Sequence, residues 1–178
     1  TGANTTIWTR EGKIYRVTPR QNDAVNSCWM PDSHRLNFHY VDSDARLTEV
    51  LAKDANGVHK ELSWQEALEL AAGKLKELSP NQIGIIASGR QTNEELWMTR
   101  ALAATLGTET LDIVPRLGDN DGHLINEDRN PNTNGVKLVA LLNNPGAQLE
   151  SIRQQVENGA IKALIVFGED LFAEAGWT

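Results

Sequence analysis

The first sixty residues alternate apolar and polar positions over short runs, whereas the remainder switches between helical spacing and continuous apolar stretches. Thr5-Thr6-Ile7-Trp8-Thr9-Arg10, the turn Glu11-Gly12 and Lys13-Ile14-Tyr15-Arg16-Val17 predict a β-hairpin, with Gly12 free to take positive φ at the turn. Pro19 cannot donate to a ladder, so the second strand should end near it. Asn22 to Tyr40 reads as loop or a short helical turn.

Beyond residue 60, Ser63-Trp64-Gln65-Glu66 is a capping box, in which a hydroxyl and a carboxylate each satisfy an orphan amide at a helix start. Trp64, Ala67, Leu68, Ala71, Leu75 and Leu78 follow at helical spacing until Pro80. Gln82 to Ser88 is almost wholly apolar, as in a strand buried on both faces. Thr92-Asn93-Glu94-Glu95 opens a second helix through Leu102 to Leu106, with Gly107 as its stop. Thr110 to Val114 reads as a strand. Leu149, Ile152 and Val156 mark a further helix ending near Gly159, and Ile161 to Phe167 reads as another buried strand. Val136 to Leu142 fits either state. Strands alternating with helices over short joints predict a parallel α/β sheet. The expected organisation is a small β-rich appendage over 1–60 and a Rossmann-like α/β domain over 61–178.

Composition narrows the function. With 40% hydrophobic and 23% charged residues the chain is ordinary for a globular protein. No run approaches the ~20 apolar residues of a membrane span, so direct membrane insertion is not expected. A net charge of −7 argues against nucleic acid, whose phosphates are met with Lys and Arg. Cys28 is the one cysteine, which excludes a disulfide framework or a four-thiolate metal site, and implies a reducing, cytoplasmic setting. The opening Thr1, in place of Met, suggests a start inside a longer gene product.

Candidate chemistry is sparse. The polar segment 118–134 invites a calcium-loop reading, but placing Gly122 sixth puts Leu117 first and Asp128 twelfth, where a carboxylate and a Glu are needed. A solvated loop is the better reading. His34, His39, His59 and His123 lack ligand spacing, and Cys28 has no evident base, so it reads as a packing residue. Ser88-Gly89-Arg90-Gln91-Thr92 joins the carboxyl end of a buried strand to a capped helix, which is where parallel sheets bind anions. Ser88, Gly89, Arg90 and Thr92 are therefore candidate cofactor-binding residues. Against them stand Glu94 and Glu95 in the helix's first turn, the absence of Gly-x-Gly-x-x-Gly, and the plain alternative of an ordinary βα loop. No catalytic or metal-ligating set is evident.

Distributed motifs resemble the molybdopterin oxidoreductase superfamily. Gly12-Lys13-Ile14-Tyr15-Arg16-Val17-Thr18-Pro19 is similar to a strand lying between the third and fourth ligands of that family's amino-terminal [4Fe–4S] domain. Trp29-Met30-Pro31-Asp32-Ser33-His34-Arg35 resembles its Trp-x-Cys-Asp-x-Gly-Arg, and Asp44-Ala45-Arg46-Leu47-Thr48 its lead into the α/β domain. Leu62 to Leu68 resembles a Ser-Trp-x-Glu-Ala-Leu helix start. Ser88 to Glu95 is similar to the Ser-x-Arg-x-Thr-Asn-Glu-Glu of the NADH:quinone oxidoreductase (complex I) branch, represented by its large iron–sulfur subunit.

The resemblance implies a [4Fe–4S] cluster and a molybdopterin guanine dinucleotide, but the sequence departs from both. Pro31 falls at the fourth cluster ligand and Ala3 at the third, and the first two would lie upstream of Thr1. Gly168-Glu169-Asp170 sets two carboxylates at a strand end where a polyanion needs neutral or positive groups. The expectation is therefore no cofactor in this chain, and a non-catalytic scaffold segment of a respiratory oxidoreductase subunit. Its partners would be the rest of that subunit and neighbouring subunits, with any approach to the inner membrane made through them. The alternatives are a cofactor-binding fragment of a molybdopterin-dependent dehydrogenase or reductase, and a non-redox binding module on the same fold.

Overall fold

Local turn chemistry shapes the amino-terminal part. In this computed structural model, which describes residues 2–123 and 125–177, Glu11 and Gly12 both take positive φ (51° and 78°), the twist that a two-residue hairpin turn requires. Strands β1 (Thr5–Arg10) and β2 (Lys13–Pro19) accordingly pair antiparallel with Trp8 opposite Arg16, and a bulge follows Trp8. Thr1, Leu124 and Thr178 lie outside the described residues, and with them one residue of the 118–134 loop.

The contacts divide the chain into two units, residues 1–68 with 118–127, and residues 69–117 with 128–178. In the first unit, a short helix α1 (Asp32–Leu36) and a 3-10 turn (His39–Asp42) occupy part of the stretch expected as loop or helical turn. A second hairpin, β3 (Val50–Lys53) with β4 (His59–Leu62), was not foreseen. Its four-residue strands alternate too briefly to stand out, and its turn is held by a side chain. Asp54 accepts from the amides of Asn56 (2.8 Å) and Val58 (3.1 Å) and pairs with Lys60. Lys60 first, then those amides, holds its carboxyl below the usual range.

The boundary falls within α2 (Trp64–Lys76). Its capping box forms: Ser63 N donates to Glu66 Oε2 at 2.9 Å and Glu66 N to Ser63 Oγ at 3.3 Å. The Ser63 hydroxyl and amide hold the Glu66 carboxyl below its ordinary value. The helix stops before Leu78, and Pro80 opens a separate 3-10 turn capped by Ser79. No residue of α2 is buried, so its apolar stripe is real but uncovered.

The second unit is the expected parallel sheet, in the order β6-β5-β7, made of β5 (Ile83–Ala87), β6 (Leu111–Ile113) and β7 (Ala163–Val166). All five residues of β5 are buried because both faces are covered. Ile85 and Ala87 pack with Leu96, Ala103, Leu111, Ile113, Val136 and Leu141, while Ile86 packs with Val114, Ile152, Ile161 and Leu171. Helix α3 (Asn93–Leu106) follows β5, and Gly107 ends it with φ +68°. Of the ambiguous 136–142 run, residues 136–138 end α4 (Thr133–Leu138) and 139–142 form the turn after it, neither strand nor helix; α5 (Leu149–Glu157) and a short α6 (Leu171–Glu174) that the sequence reading missed follow.

The cap on α3 yields a direct test. Thr92 Oγ1 accepts from Glu95 N at 3.2 Å, and Thr92 N donates to Glu95 Oε2 at 2.8 Å. Thr92→Ala is expected to destabilise the chain by about 1 kcal/mol, the usual effect of losing an N-cap. The check is a lowered urea midpoint at unchanged slope; an unchanged midpoint would show that the cap contributes nothing.

Candidate functional site

The sheet gathers three carboxyl strand ends, with Ser88-Gly89-Arg90 after β5, Pro115-Arg116 after β6 and Gly168-Glu169 after β7. The chain leaves β5 for β6 on one side, and β7 lies on the other, so the end of β5 is a topological switch point. Open α/β sheets take their ligands in that position.

The four candidate residues lie on one loop. Ser88 and Gly89 are buried and Arg90 is exposed. Ser88 Oγ accepts from Arg90 N at 3.0 Å, and Ser88 N donates to Gln91 Oε1 at 2.9 Å. Thr92 is committed to the α3 cap. Gly89 lacks a side chain for a packing reason: a Cβ there would meet Asn130 Cγ at 2.7 Å. Gly89 O accepts from Asn132 N at 2.8 Å. The amides that would cradle a phosphate at Ser88 and Arg90 therefore already have acceptors.

At these strand ends Arg116 and Asn130 escaped the sequence reading, and Glu169, read there as a repelling carboxylate, has a partner. Arg116 reaches past the end of β5 to Glu169, with Nη1 donating to Oε1 at 3.1 Å and Nη2 to Oε2. The Arg116 side chain is 17% exposed and that of Glu169 0%. Arg116 Nη1 also donates to Asn130 Oδ1 at 2.9 Å, and Asn130 Nδ2 donates to Val114 O at 3.0 Å. The planar guanidinium thus satisfies a buried carboxylate bidentately, the geometry in which such pairs are strongest.

This corrects the electrostatic expectation at Gly168-Glu169-Asp170. Glu169 is neutralised by Arg116, and Asp170 caps α6, accepting from Phe172 N at 3.1 Å and Ala173 N at 3.0 Å. The strand ends are filled by matched charge and packing rather than guarded by two repelling carboxylates. As arranged, these residues do not fit a dinucleotide phosphate, because the nearest cation and amides are engaged. Asp112 supports the same region from β6. It is fully buried and accepts from the amides of Ile113 (2.8 Å), Gly146 (2.6 Å) and Gln148 (2.6 Å), which fixes the turn into α5. A charged residue inside the apolar run Leu111 to Val114 was the signal available for it.

In the first unit, neither Ala3 nor Pro31, the residues that the resemblance aligns with cluster ligands, carries a thiol. Ala3 lines a polar cleft beside Asn26 and His123, and Pro31 is the N-cap of α1. Cys28, expected to pack, is exposed instead, beside Pro31 in a groove of about 680 Å³. What ties these loops together is Asn26, 5% exposed. Its Oδ1 accepts from Asn4 N at 3.0 Å, and its Nδ2 donates to Trp29 O at 2.8 Å and Arg20 O at 3.3 Å. A side-chain amide therefore cross-links three separate segments of this unit. One thiol cannot hold a [4Fe–4S] centre, so the residues do not fit it. Among the described residues, no group of three His, Cys, Asp or Glu could hold a metal ion. Burial pushes the half-buried His34 imidazole below its ordinary value, which disfavours its cationic form. Among the described residues, no helix is long and apolar enough to cross a membrane.

Comparison with known proteins finds two family models that match the chain. The family described as NADH-ubiquinone oxidoreductase NDSU1/NuoG-like, 4Fe-4S domain matches residues 1–39. The chain is 34% identical over 118 residues to the F420-dependent formate dehydrogenase 2 subunit alpha of Methanococcus maripaludis, covering 66% of this chain and 17% of that protein. It is 30% identical over 112 residues to an NADH-quinone oxidoreductase subunit of Rickettsia felis, covering 63% of this chain and 16% of that protein. The corresponding protein of Rickettsia conorii matches to the same extent. The chain thus spans about a sixth of the length of these relatives. Residues 46–175, most of the chain and all of the parallel sheet, match the molybdopterin oxidoreductase family, and the chain belongs to it.

Proposed function

We propose that this chain is a non-catalytic scaffold segment of a respiratory oxidoreductase subunit resembling the large iron–sulfur subunit of NADH:quinone oxidoreductase. The observation that carries the reading is the filled switch point, where Asn130 packs against Gly89 and Arg116 is bound by Glu169. A polyphosphate ligand would have to displace a buried ion pair, which strands one charge without a partner. The lone, exposed Cys28 supports the same reading for the first unit. Assembly with the remainder of the subunit and with other subunits is then the segment's work, on the cytoplasmic side and without insertion of its own into the inner membrane.

A second reading is a cofactor-binding part of a molybdopterin-dependent dehydrogenase, which the 34% identity to a formate dehydrogenase subunit favours. In that case further strand ends from a longer protein would complete the cleft around Arg90.

Two measurements separate these readings. After anaerobic reconstitution with iron and sulfide, the chain is expected to show no stoichiometric cluster absorbance and no cluster EPR signal. Either signal in the monomer would contradict the assignment of Ala3 and Pro31 to the ligand positions. Secondly, molybdopterin guanine dinucleotide released from a donor enzyme is expected to leave the melting temperature unchanged, and the chain to reduce no acceptor with NADH or formate. A ligand at a hundred times its Kd would stabilise by about 2.7 kcal/mol, so binding would be visible. A saturating rise in melting temperature that disappears in Arg90→Ala would promote the dehydrogenase reading.

A further inference from the structure

The β1–β2 hairpin is charged against the rest of its own chain. Residues 5–20 hold Arg10, Lys13, Arg16 and Arg20 against Glu11 alone, a net of +3 in a chain of net −7, which leaves −10 on everything else. Arg10 is paired with Glu11 at 3.3 Å. Among the described residues, Lys13, Arg16 and Arg20 form no ion pair.

The same hairpin exposes large apolar side chains. Ile7, Trp8 and Tyr15 are 57%, 52% and 62% exposed. Trp8 is fixed in place: its Nε1 donates to Thr18 Oγ1 at 3.0 Å, and the Arg16 guanidinium lies 5.1 Å from its ring centre. That stacking carries a cation from β2 over β1. Among the described residues, β1 pairs only with β2, so its outer edge presents unpaired backbone groups. It contains no Pro, its Thr and Ile side chains suit a strand, and a two-stranded hairpin is marginal by itself. Such an edge is a template for another strand.

We propose that the outer edge of β1, with its Trp8–Arg16 face, docks an extended acidic segment of a partner protein as a third strand. Backbone pairing would supply affinity, and alternate side chains of the incoming strand would meet Trp8 and Arg16. A carboxylate on that strand can accept from the Arg16 fork while the guanidinium stays stacked on the indole. Aromatic residues and Arg are the types that dominate protein interfaces. Nucleic acid and anionic lipid are disfavoured because they present many phosphates over a broad surface, and this hairpin offers three cations without ion pairs beside an unpaired strand edge suited to a single extended segment. The class of partner rests on the subunit reading above; the edge and its charge do not.

The test uses the full chain and an alternating Glu/Val peptide as probe, with an alternating Lys/Val peptide, duplex DNA and phosphatidylserine vesicles as rivals. The Glu/Val peptide is expected to shift the amide resonances of Thr5 to Arg10, to bind more weakly as salt rises, and to lose about tenfold in affinity in Arg16→Gln. Arg16→Lys, which keeps the charge but not the fork, should lose part of that affinity, and Lys162→Gln none. Arg16 is exposed, so these variants fold, and the circular dichroism of the wild type is the control. Shifts confined to other elements, equal binding of the Lys/Val peptide, tighter binding of DNA or vesicles through Arg16, or no binding would each overturn the proposal. Co-sedimentation with the other subunits of the host's oxidoreductase reads the subunit assignment separately. Peptide binding without co-sedimentation upholds the docking edge and removes that assignment; co-sedimentation without peptide binding removes the docking edge alone.

Discussion

The Arg116–Glu169 pair is the constraint on which the α/β unit turns. Glu169 has no exposed side-chain surface, so its charge requires a partner, and Arg116 supplies one by reaching from the end of β6 to the end of β7. Asn130 completes the junction by binding Arg116 and the Val114 carbonyl together while packing against Gly89. Removing either charged partner leaves an uncompensated buried ion, which is costly, although replacing both by apolar groups need not be. The same three side chains that order the strand ends also occupy the place where this sheet topology offers a ligand site.

Polar side chains hold segments together in both units. In the α/β unit, side chains fill the switch point. In the amino-terminal unit, the Asn26 amide joins Asn4, Arg20 and Trp29 with hydrogen bonds, where the family's domain joins its segments through sulfur and iron. A buried, fully satisfied amide is worth far less than a metal centre, and each of its bonds contributes only ~1 kcal/mol net.

The sheet was legible in the sequence because its signals are local and strong. Apolar runs at Ile83–Ala87, which is buried, and at Ala163–Val166, which is only half-buried where the sequence predicts a buried strand, the Thr92–Glu95 box and Gly107 each specify one element without help from distant residues. The β3–β4 hairpin was not legible, since four-residue strands carry little periodicity and Asp54 shapes their turn through side-chain bonds. The strand-end site was half legible. Ser88 to Thr92 announces a βα loop, but Arg116 and Glu169 stand far apart in sequence, and nothing in either one's neighbourhood names the other. Glu169 thus read as a free carboxylate, when the fold had already paired it. Cys28 failed for the opposite reason: its hydrophobic tendency suggested packing, but its loop is held by Asn26 instead.

The central claim is that a buried ion pair closes the switch point, and a double-mutant cycle at Arg116 and Glu169 tests it most directly. Glu169→Gln and Arg116→Met should each destabilise the chain by about 3–5 kcal/mol, and the joint Arg116→Met, Glu169→Met variant should recover much of that loss. Single variants within about 0.5 kcal/mol of the wild type, with no coupling between them, would contradict it.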